Sequence, residues 1–397
     1  MAANPAQLLT LYVLGLSAAC VAAVALYLLL RSRRPRAVLA RGADGRTHLA
    51  SHRSPLHAPA GRRRALAVLL PLLMLLWVFL GKFLVAPFFP RGADPAPMPQ
   101  AQSGVVRGAS GAQLAVNRYG PPEGPTLLLT HGWGADQGEW RWLMQSLPQG
   151  TRVVTWDLPG LGASTPLPGD YTMSAMAADL DAVVASVKGG PVILVGHSIG
   201  GMLNLEYAKR YPDRLGKEVR GIVQANTTYT NPVDTKQNPE RSRKLQKPVY
   251  EPALRVVDAA SPAFRALGFL AYQSGLAHLQ LASQSFAGMQ SWEQLDQTAR
   301  YAYRSSPRVA ARGVLAMLNW DASDVLQRVN VATLIISGEQ DVTTLPSASD
   351  RMAQEIPSAR QVRVSPAAHM GPVEQDRRYA QAMASFVGAM AVARATP

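Results

Sequence analysis

The sequence predicts an α/β fold with a mostly parallel β-sheet covered by helices on both faces. Two observations carry that prediction. Short apolar runs such as Thr126-Leu-Leu-Leu-Thr130, Arg152-Val-Val-Thr-Trp156 and Pro191-Val-Ile-Leu-Val195 alternate with stretches of helical periodicity. Each of these runs stops abruptly at a polar, glycine-bearing segment. Wholly apolar strands are those buried on both faces, as in parallel sheets, whose crossovers need helices.

The elements follow in chain order. Residues 8–30 carry no charge, and 23 residues at 1.5 Å each can span a hydrocarbon core about 30 Å thick. The first positive charge, Arg31, comes after the apolar run rather than before it, so residues 1–30 read as an uncleaved membrane helix rather than a signal peptide. A second apolar run, 65–89, is interrupted only by Pro71 near its start and Lys82 near its end. Trp77, Phe79, Phe83, Phe88 and Phe89 enrich that end, as at a membrane–water boundary, where Lys82 can snorkel. Between the runs, residues 31–64 hold ten arginines and one acid, Asp44. Such a loop resists translocation and stays in the cytoplasm, which puts both chain ends outside: in a bacterium, a two-span inner-membrane protein with its main domain in the periplasm. The loop could also touch anionic headgroups.

Residues 90–104, with Pro90, Pro95, Pro97 and Pro99, read as a linker. The folded domain begins near Val105, with one or two edge strands over 105–118 and a turn at 108–111. Strands follow at 126–130, 152–156, 191–195 and 220–225, with helices near 172–187 and 200–210. Residues 230–325 show helical periodicity and no clear strand. The strand series resumes at 332–337 and closes at 361–365. The domain thus divides into a first core part, 105–229, a helical insert, 230–325, and a second core part, 326–397.

Composition narrows the function. Residues 1–100 carry 12 Lys/Arg against 2 Asp/Glu, whereas residues 101–397 carry 28 against 24. The net charge of +14 therefore belongs mainly to the N-terminal region and does not describe a nucleic-acid-binding body. The single cysteine, Cys20, cannot form an internal disulfide, and no Cys/His cluster has metal-ligand spacing. Neither a metal nor a cofactor is expected.

The chemistry gathers at the strand ends. Gly196-His-Ser-Ile-Gly200 follows an apolar strand and opens a helix, the setting of a strained turn that exposes a nucleophilic serine, Ser198. Bulk two residues to either side would collide with the neighbouring helix and strand. Serine needs a base. Of the two histidines after Ser198, His278 lies inside the helical insert and reads as packing or substrate lining. His369 follows the last strand, where a loop reaches the same sheet edge, and is the candidate base. The base needs a carboxylate. Asp341, just after strand 332–337, fits the order serine, acid, histidine; Glu339, Asp321, Asp324 and Asp350 are weaker candidates. Two backbone N–H groups could hold an oxyanion: Ile199, next to the serine, and Trp133, in His131-Gly-Trp-Gly134. His131 itself reads as structural.

These motifs, with Asp157-Leu-Pro-Gly-Leu-Gly-Ala-Ser164 and Gly338-Glu-Gln-Asp341, resemble the α/β-hydrolase family, in its capped, esterase-like branch, over about residues 104–392. The resemblance implies an α/β-hydrolase fold in which 230–325 caps the active site. Ser198, where some capped relatives carry aspartate, argues against epoxide opening and halide removal. A membrane-anchored carboxylic-ester hydrolase with a lipophilic substrate is the expectation. Carbon–carbon, amide and perhydrolase chemistry on the same residues stay open, as does a non-enzymatic membrane role. Within the insert, Lys236, Arg241, Arg243, Lys244 and Lys247 form a solvated or headgroup-facing patch. Phe264, Phe269, Leu270, Tyr272, Phe286 and Trp292 could line an acyl pocket or be ordinary core.

Overall fold

The computed structural model describes residues 37–41, 47–51, 60–92, 98 and 100–395. The expected first span, 8–30, lies outside the described residues. Within the basic segment, β1 (Ala37–Arg41) and β2 (Thr47–Ser51) pair antiparallel, where the sequence suggested only a loop. A helix then runs over Ala60–Val85, starting before the arginine triplet, so Pro71 falls in its interior rather than near its entry. Its side chains are described from Leu72 onward, and no helix among the described residues is long and apolar enough to cross a membrane. Leu72, Leu76, Phe79, Phe83 and Leu84 stand exposed along it.

The main sheet has eight strands in the order β10-β9-β8-β7-β5-β6-β4-β3. These are β3 (Gln102–Arg107), β4 (Gln113–Tyr119), β5 (Thr126–Thr130), β6 (Arg152–Trp156), β7 (Val192–His197), β8 (Val219–Ala225), β9 (Ala332–Gly338) and β10 (Ala359–Val364). β6, β5, β7, β8, β9 and β10 pair parallel, while β4 and β3 close one edge antiparallel.

The apolar runs are explained by burial on both faces. Leu128, Leu194, Ile222 and Ile335 point into a core shared with the helices Met173–Ser186, Ile199–Arg210 and Pro346–Glu355. Their chain neighbours Leu129, Val195, Val223 and Ile336 point into a second core, with Trp140, Leu143, Tyr379 and Met383. The two-residue period of a strand sends successive side chains to opposite faces, and here both faces are dry. Each fully buried leucine or isoleucine contributes roughly 1.5–3 kcal/mol of transfer free energy.

The parallel register brings the carboxyl ends together. Thr130 pairs with Gly196 and with Trp156, His197 with Ala225, Ala225 with Ile336, and Gly338 with Val364. Every loop that leaves these ends therefore opens on one edge of the sheet.

Residues 230–325 contain no strand, as expected; their longest helices are Ser261–Gln273, Trp292–Arg304 and Pro307–Leu318. Ser291 caps the second of these with a reciprocal bond to Gln294, which satisfies N–H groups that the first turn leaves open. The end of the Ala60–Val85 helix rests on this insert. A Cβ on Gly81 would sit 2.3 Å from the Ser274 carbonyl oxygen, so only glycine permits that approach. The Lys82 ammonium lies 4.3 Å from the centre of the Tyr272 ring, a packing role where the sequence suggested an extended interfacial lysine.

Candidate active site

Ser198 sits between β7 and the helix Ile199–Arg210, with φ 55° and ψ −120°. A positive φ is costly for a residue with a Cβ and persists only where its surroundings enforce it. Here the glycines do so. A Cβ on Gly196 would lie 2.2 Å from the Gly200 carbonyl carbon, and one on Gly200 would lie 2.3 Å from the Thr130 oxygen. The expected collision of bulk with helix and strand is thus present on both sides of Ser198. The helix start also turns the Ile199 end of the elbow into a region of positive potential.

The structure brings Ser198, His369 and Asp341 into one line. Ser198 Oγ lies 3.1 Å from His369 Nε2, and His369 Nδ1 lies 2.9 Å from Asp341 Oδ2. Asp341 is 2% exposed, and its Oδ1 accepts the N–H groups of Thr343 and Thr344 at 2.8 and 2.9 Å. The Thr344 hydroxyl donates to Oδ2 at 2.7 Å. Burial raises the Asp341 carboxyl, but the positive histidine and the hydrogen bonds from His369 and Thr344 outweigh it and hold it below the ordinary aspartate value.

The weaker acid candidates lie elsewhere. Glu339 and Asp321 are exposed; Asp324 pairs with Lys209, and Asp350 with Arg363. His278 is fully buried and bonds Asp296 at 3.0 Å, so it packs within the insert. In the basic patch Arg243 pairs with Asp234, while Lys236, Arg241, Lys244 and Lys247 are exposed.

The loop after β5 runs beside the serine. Its first residue, His131, is fully buried and tied to backbone at both nitrogens. Nε2 accepts the Leu158 N–H at 3.1 Å, so Nδ1 carries the hydrogen and donates to the Gly132 carbonyl at 2.8 Å. That matches its structural reading. The Gly132 carbonyl and the Trp133 N–H are opposite ends of one planar peptide, so fixing the first sets the direction of the second. The Trp133 indole turns away and donates to the Ala310 carbonyl at 2.9 Å.

A cavity of about 500 Å³ opens over Ser198 and His369, roofed by the insert through Val257, Phe264, Ala277 and Leu281. Of the six candidate pocket residues, only Phe264 lines it. Tyr272 and Phe286 are buried in separate clusters, Trp292 stacks on His278 at 4.7 Å, and Phe269 is 39% exposed. Five of the six lie on helices, whose period sets them on different faces, and Phe286 lies in the loop after Leu276–Gln284; sequence alone did not say which face looks down.

Three supporting residues, Asn226, Glu139 and His197, have roles that the motifs do not assign, although His197 stands within the Gly196–Gly200 motif. Asn226, at φ 44°, donates to the carbonyls of Ala368 and His369 and accepts from Gly338 N–H, joining the histidine and aspartate loops. Glu139 meets His197, the residue just before the serine, and both border the cavity. Nothing in the local sequence pattern marks Asn226; its positive φ is the clue that structure adds. Among the described residues no group of three metal-ligating side chains is present.

The comparisons agree with this architecture. Over 117 residues the chain is 35% identical to a probable oxidoreductase EphD of Mycobacterium tuberculosis; the match covers 29% of this chain and 20% of that protein, so it spans a fifth of that relative. It is 27% identical to the pimeloyl-[acyl-carrier protein] methyl ester esterase of Nitrosomonas europaea over 60% of this chain and 86% of that one. A thermophilic esterase from Thermogutta terrifontis superposes with a TM-score of 0.59 at 24% identity, covering 72% of this chain and 98% of that one. The family model described as alpha/beta hydrolase fold matches residues 125–376. With that match over more than half its length and the eight-stranded sheet to go with it, the chain belongs to the α/β hydrolase fold family.

Proposed function

We propose that this protein is a membrane-anchored hydrolase of lipophilic carboxylic esters that works through an acyl-enzyme on Ser198. The observation that carries the reading is the hydrogen-bonded line from Ser198 Oγ through His369 to Asp341, at the floor of a largely apolar cavity. His369 Nε2 takes the serine proton as Oγ attacks the ester carbonyl, and Asp341 stabilises the imidazolium that forms. The N–H groups of Trp133 and Ile199 receive the oxyanion. Collapse expels the alcohol, which takes its proton from His369. Water, deprotonated by His369, then attacks the acyl carbon and releases the carboxylic acid with Ser198 restored. The esterase relative and its coverage support ester chemistry over the other reactions open to such a triad.

The anchor is part of the same proposal. The exposed apolar row from Leu72 to Phe88 belongs to the second apolar run, 65–89, whose one charged residue is Lys82, and the arginine-rich segment before it favours a cytoplasmic loop and a periplasmic hydrolase domain.

A fluorophosphonate probe is expected to label wild-type protein at Ser198 and to leave S198A and H369Q unlabelled, with hydrolysis of a p-nitrophenyl ester panel lost in parallel. A folded wild-type protein that neither labels nor hydrolyses sinks the reading. For topology, a C-terminal alkaline phosphatase fusion is expected to be active outside the cytoplasm; a fusion active only with a cytoplasmic reporter overturns the orientation.

A further inference from the structure

Beside Ser198, at the wall of the same cavity, lies a second ionisable pair that the proposed chemistry leaves unused. Glu139 and His197 are each only 1% exposed. Glu139 belongs to the 3-10 turn Gln137–Trp140 that follows the Trp133 loop; His197 is the last residue of β7 and adjoins the serine. Glu139 Oε1 meets His197 Nδ1. Each partner's remaining polar atom holds a backbone group. Glu139 Oε2 accepts the Gly132 N–H at 2.9 Å, and His197 Nε2 donates to the His369 carbonyl at 2.9 Å.

Burial opposes charge on both groups. It raises the Glu139 carboxyl, yet the charge and hydrogen bond of His197 outweigh it and hold the carboxyl below its ordinary value. Burial lowers the His197 imidazole, yet Glu139 outweighs that too and lifts it above its ordinary value. The pair is therefore ionised in the interior, an arrangement that an apolar pair of similar volume would usually match or exceed in stability. Stability alone gives no reason for it. Its connections do.

The pair spans the site from one wall to the other. At one end it fixes the Gly132 N–H, while His131 fixes the Gly132 carbonyl, so both peptides flanking Gly132 are held and the Trp133 N–H has one direction left. At the other end it fixes the backbone of His369. The contact is close throughout: a Cβ on Gly132 would lie 2.9 Å from His197 Nδ1, and the His197 and His369 rings stand 5.0 Å apart.

We propose that Glu139 and His197 act together as a positioning strut that sets the distance between the Trp133 oxyanion donor and His369 around Ser198. The proposal rests on the hydrolase reading. Both residues border the cavity, but their polar contacts are to backbone and to each other, not to the side chains of Ser198, His369 or Asp341.

The test is steady-state kinetics of the full chain on a p-nitrophenyl ester, with fluorophosphonate labelling rates alongside. E139L and H197F are each expected to lower kcat about 30- to 100-fold with KM within about twofold, because misplacement of donors by a fraction of an ångström acts on the transition state. The double variant E139L/H197F is expected to cost no more than the worse single one, since the two act as a unit. E139Q keeps an acceptor for Gly132 N–H and can donate to His197 Nδ1, so it is expected to restore most of the kcat lost in E139L. Should a single variant unfold because one buried charge is stranded, the double variant, which strands none, decides the matter. A folded double variant with wild-type kcat, or one whose loss falls on KM instead, overturns the strut and leaves the hydrolase reading standing. A wild-type protein that neither hydrolyses nor labels overturns the hydrolase reading, and the strut with it.

Discussion

Asp341→Asn is expected to lower kcat by about 10⁴-fold, equivalent to about 5.5 kcal/mol in the barrier. The size follows from the hydrogen-bond directions around the carboxylate. Asp341 Oδ1 accepts two backbone N–H groups, from Thr343 and Thr344, which only an oxygen can satisfy. The amide oxygen of an asparagine must therefore stay there, and its NH2 must take the place of Oδ2. That NH2 faces His369 Nδ1, 2.9 Å from Oδ2 in the wild type, and donates to it. The imidazole hydrogen is then forced onto Nε2, which stands 3.1 Å from Ser198 Oγ and can no longer accept the serine proton. The loss of the negative charge removes the partner of the imidazolium as well. The assay is hydrolysis of p-nitrophenyl butyrate, with circular dichroism to establish folding. E339Q is the control, because Glu339 is exposed and is expected to stay within about twofold of wild type. A folded D341N with activity within tenfold of wild type, or an equal loss in E339Q, refutes the assignment of Asp341.

Three further outcomes are expected. F264A widens the cavity and is expected to shift chain-length preference toward longer acyl groups, measured as kcat/KM across a p-nitrophenyl ester series, while F269A, outside the cavity, leaves the preference unmoved. G200A places a Cβ 2.3 Å from the Thr130 oxygen and is expected to destabilise the fold by about 2–3 kcal/mol, read from urea unfolding midpoints; an unchanged midpoint contradicts the packing of the elbow. The stability difference between wild type and E139L/H197F is expected to be level between about pH 4.5 and 6.5 and to shift outside that window. The depressed Glu139 value gives stability that is present above 4.5 and lost as pH falls through its folded value. The raised His197 value gives stability that is present below 6.5 and lost as pH rises through its folded value. His131 faces Glu139 and Asp341 faces His197, so H131N and D341N measured in parallel isolate the pair's own contribution. A difference that stays flat from pH 3 to 9 contradicts an ionised pair.

Much of this molecule is written in local pattern. The strand β5 is Thr-Leu-Leu-Leu-Thr because both its faces are dry, and a run of that kind announces itself within five residues. The elbow announces itself too, since the strain at Ser198 demands glycine at positions 196 and 200, and the chain order of Ser198, Asp341 and His369 is visible without coordinates. The Ala60–Val85 helix was legible as an apolar run, although not its docking on Ser274 and Tyr272, which depends on where the insert folds back. The six aromatic and aliphatic pocket candidates were legible as apolar and no more, because facing the cavity or facing a neighbouring helix leaves the same composition.

What the sequence by itself determined is therefore the kind of each element and the residues that stand at its end. Tertiary structure alone decided which ends are neighbours. Glu139 and His197 belong to segments far apart in the chain, and they meet because β5 lies beside β7 with Thr130 level with Gly196. Asn226 reaches both the Asp341 and His369 loops because β8 lies beside β9. The physical reason is that parallel neighbours are joined by long crossovers, so contact across the sheet is set by strand order and register. Periodicity senses only the few residues along one strand or helix turn, and carries no record of which strand comes to lie next to it.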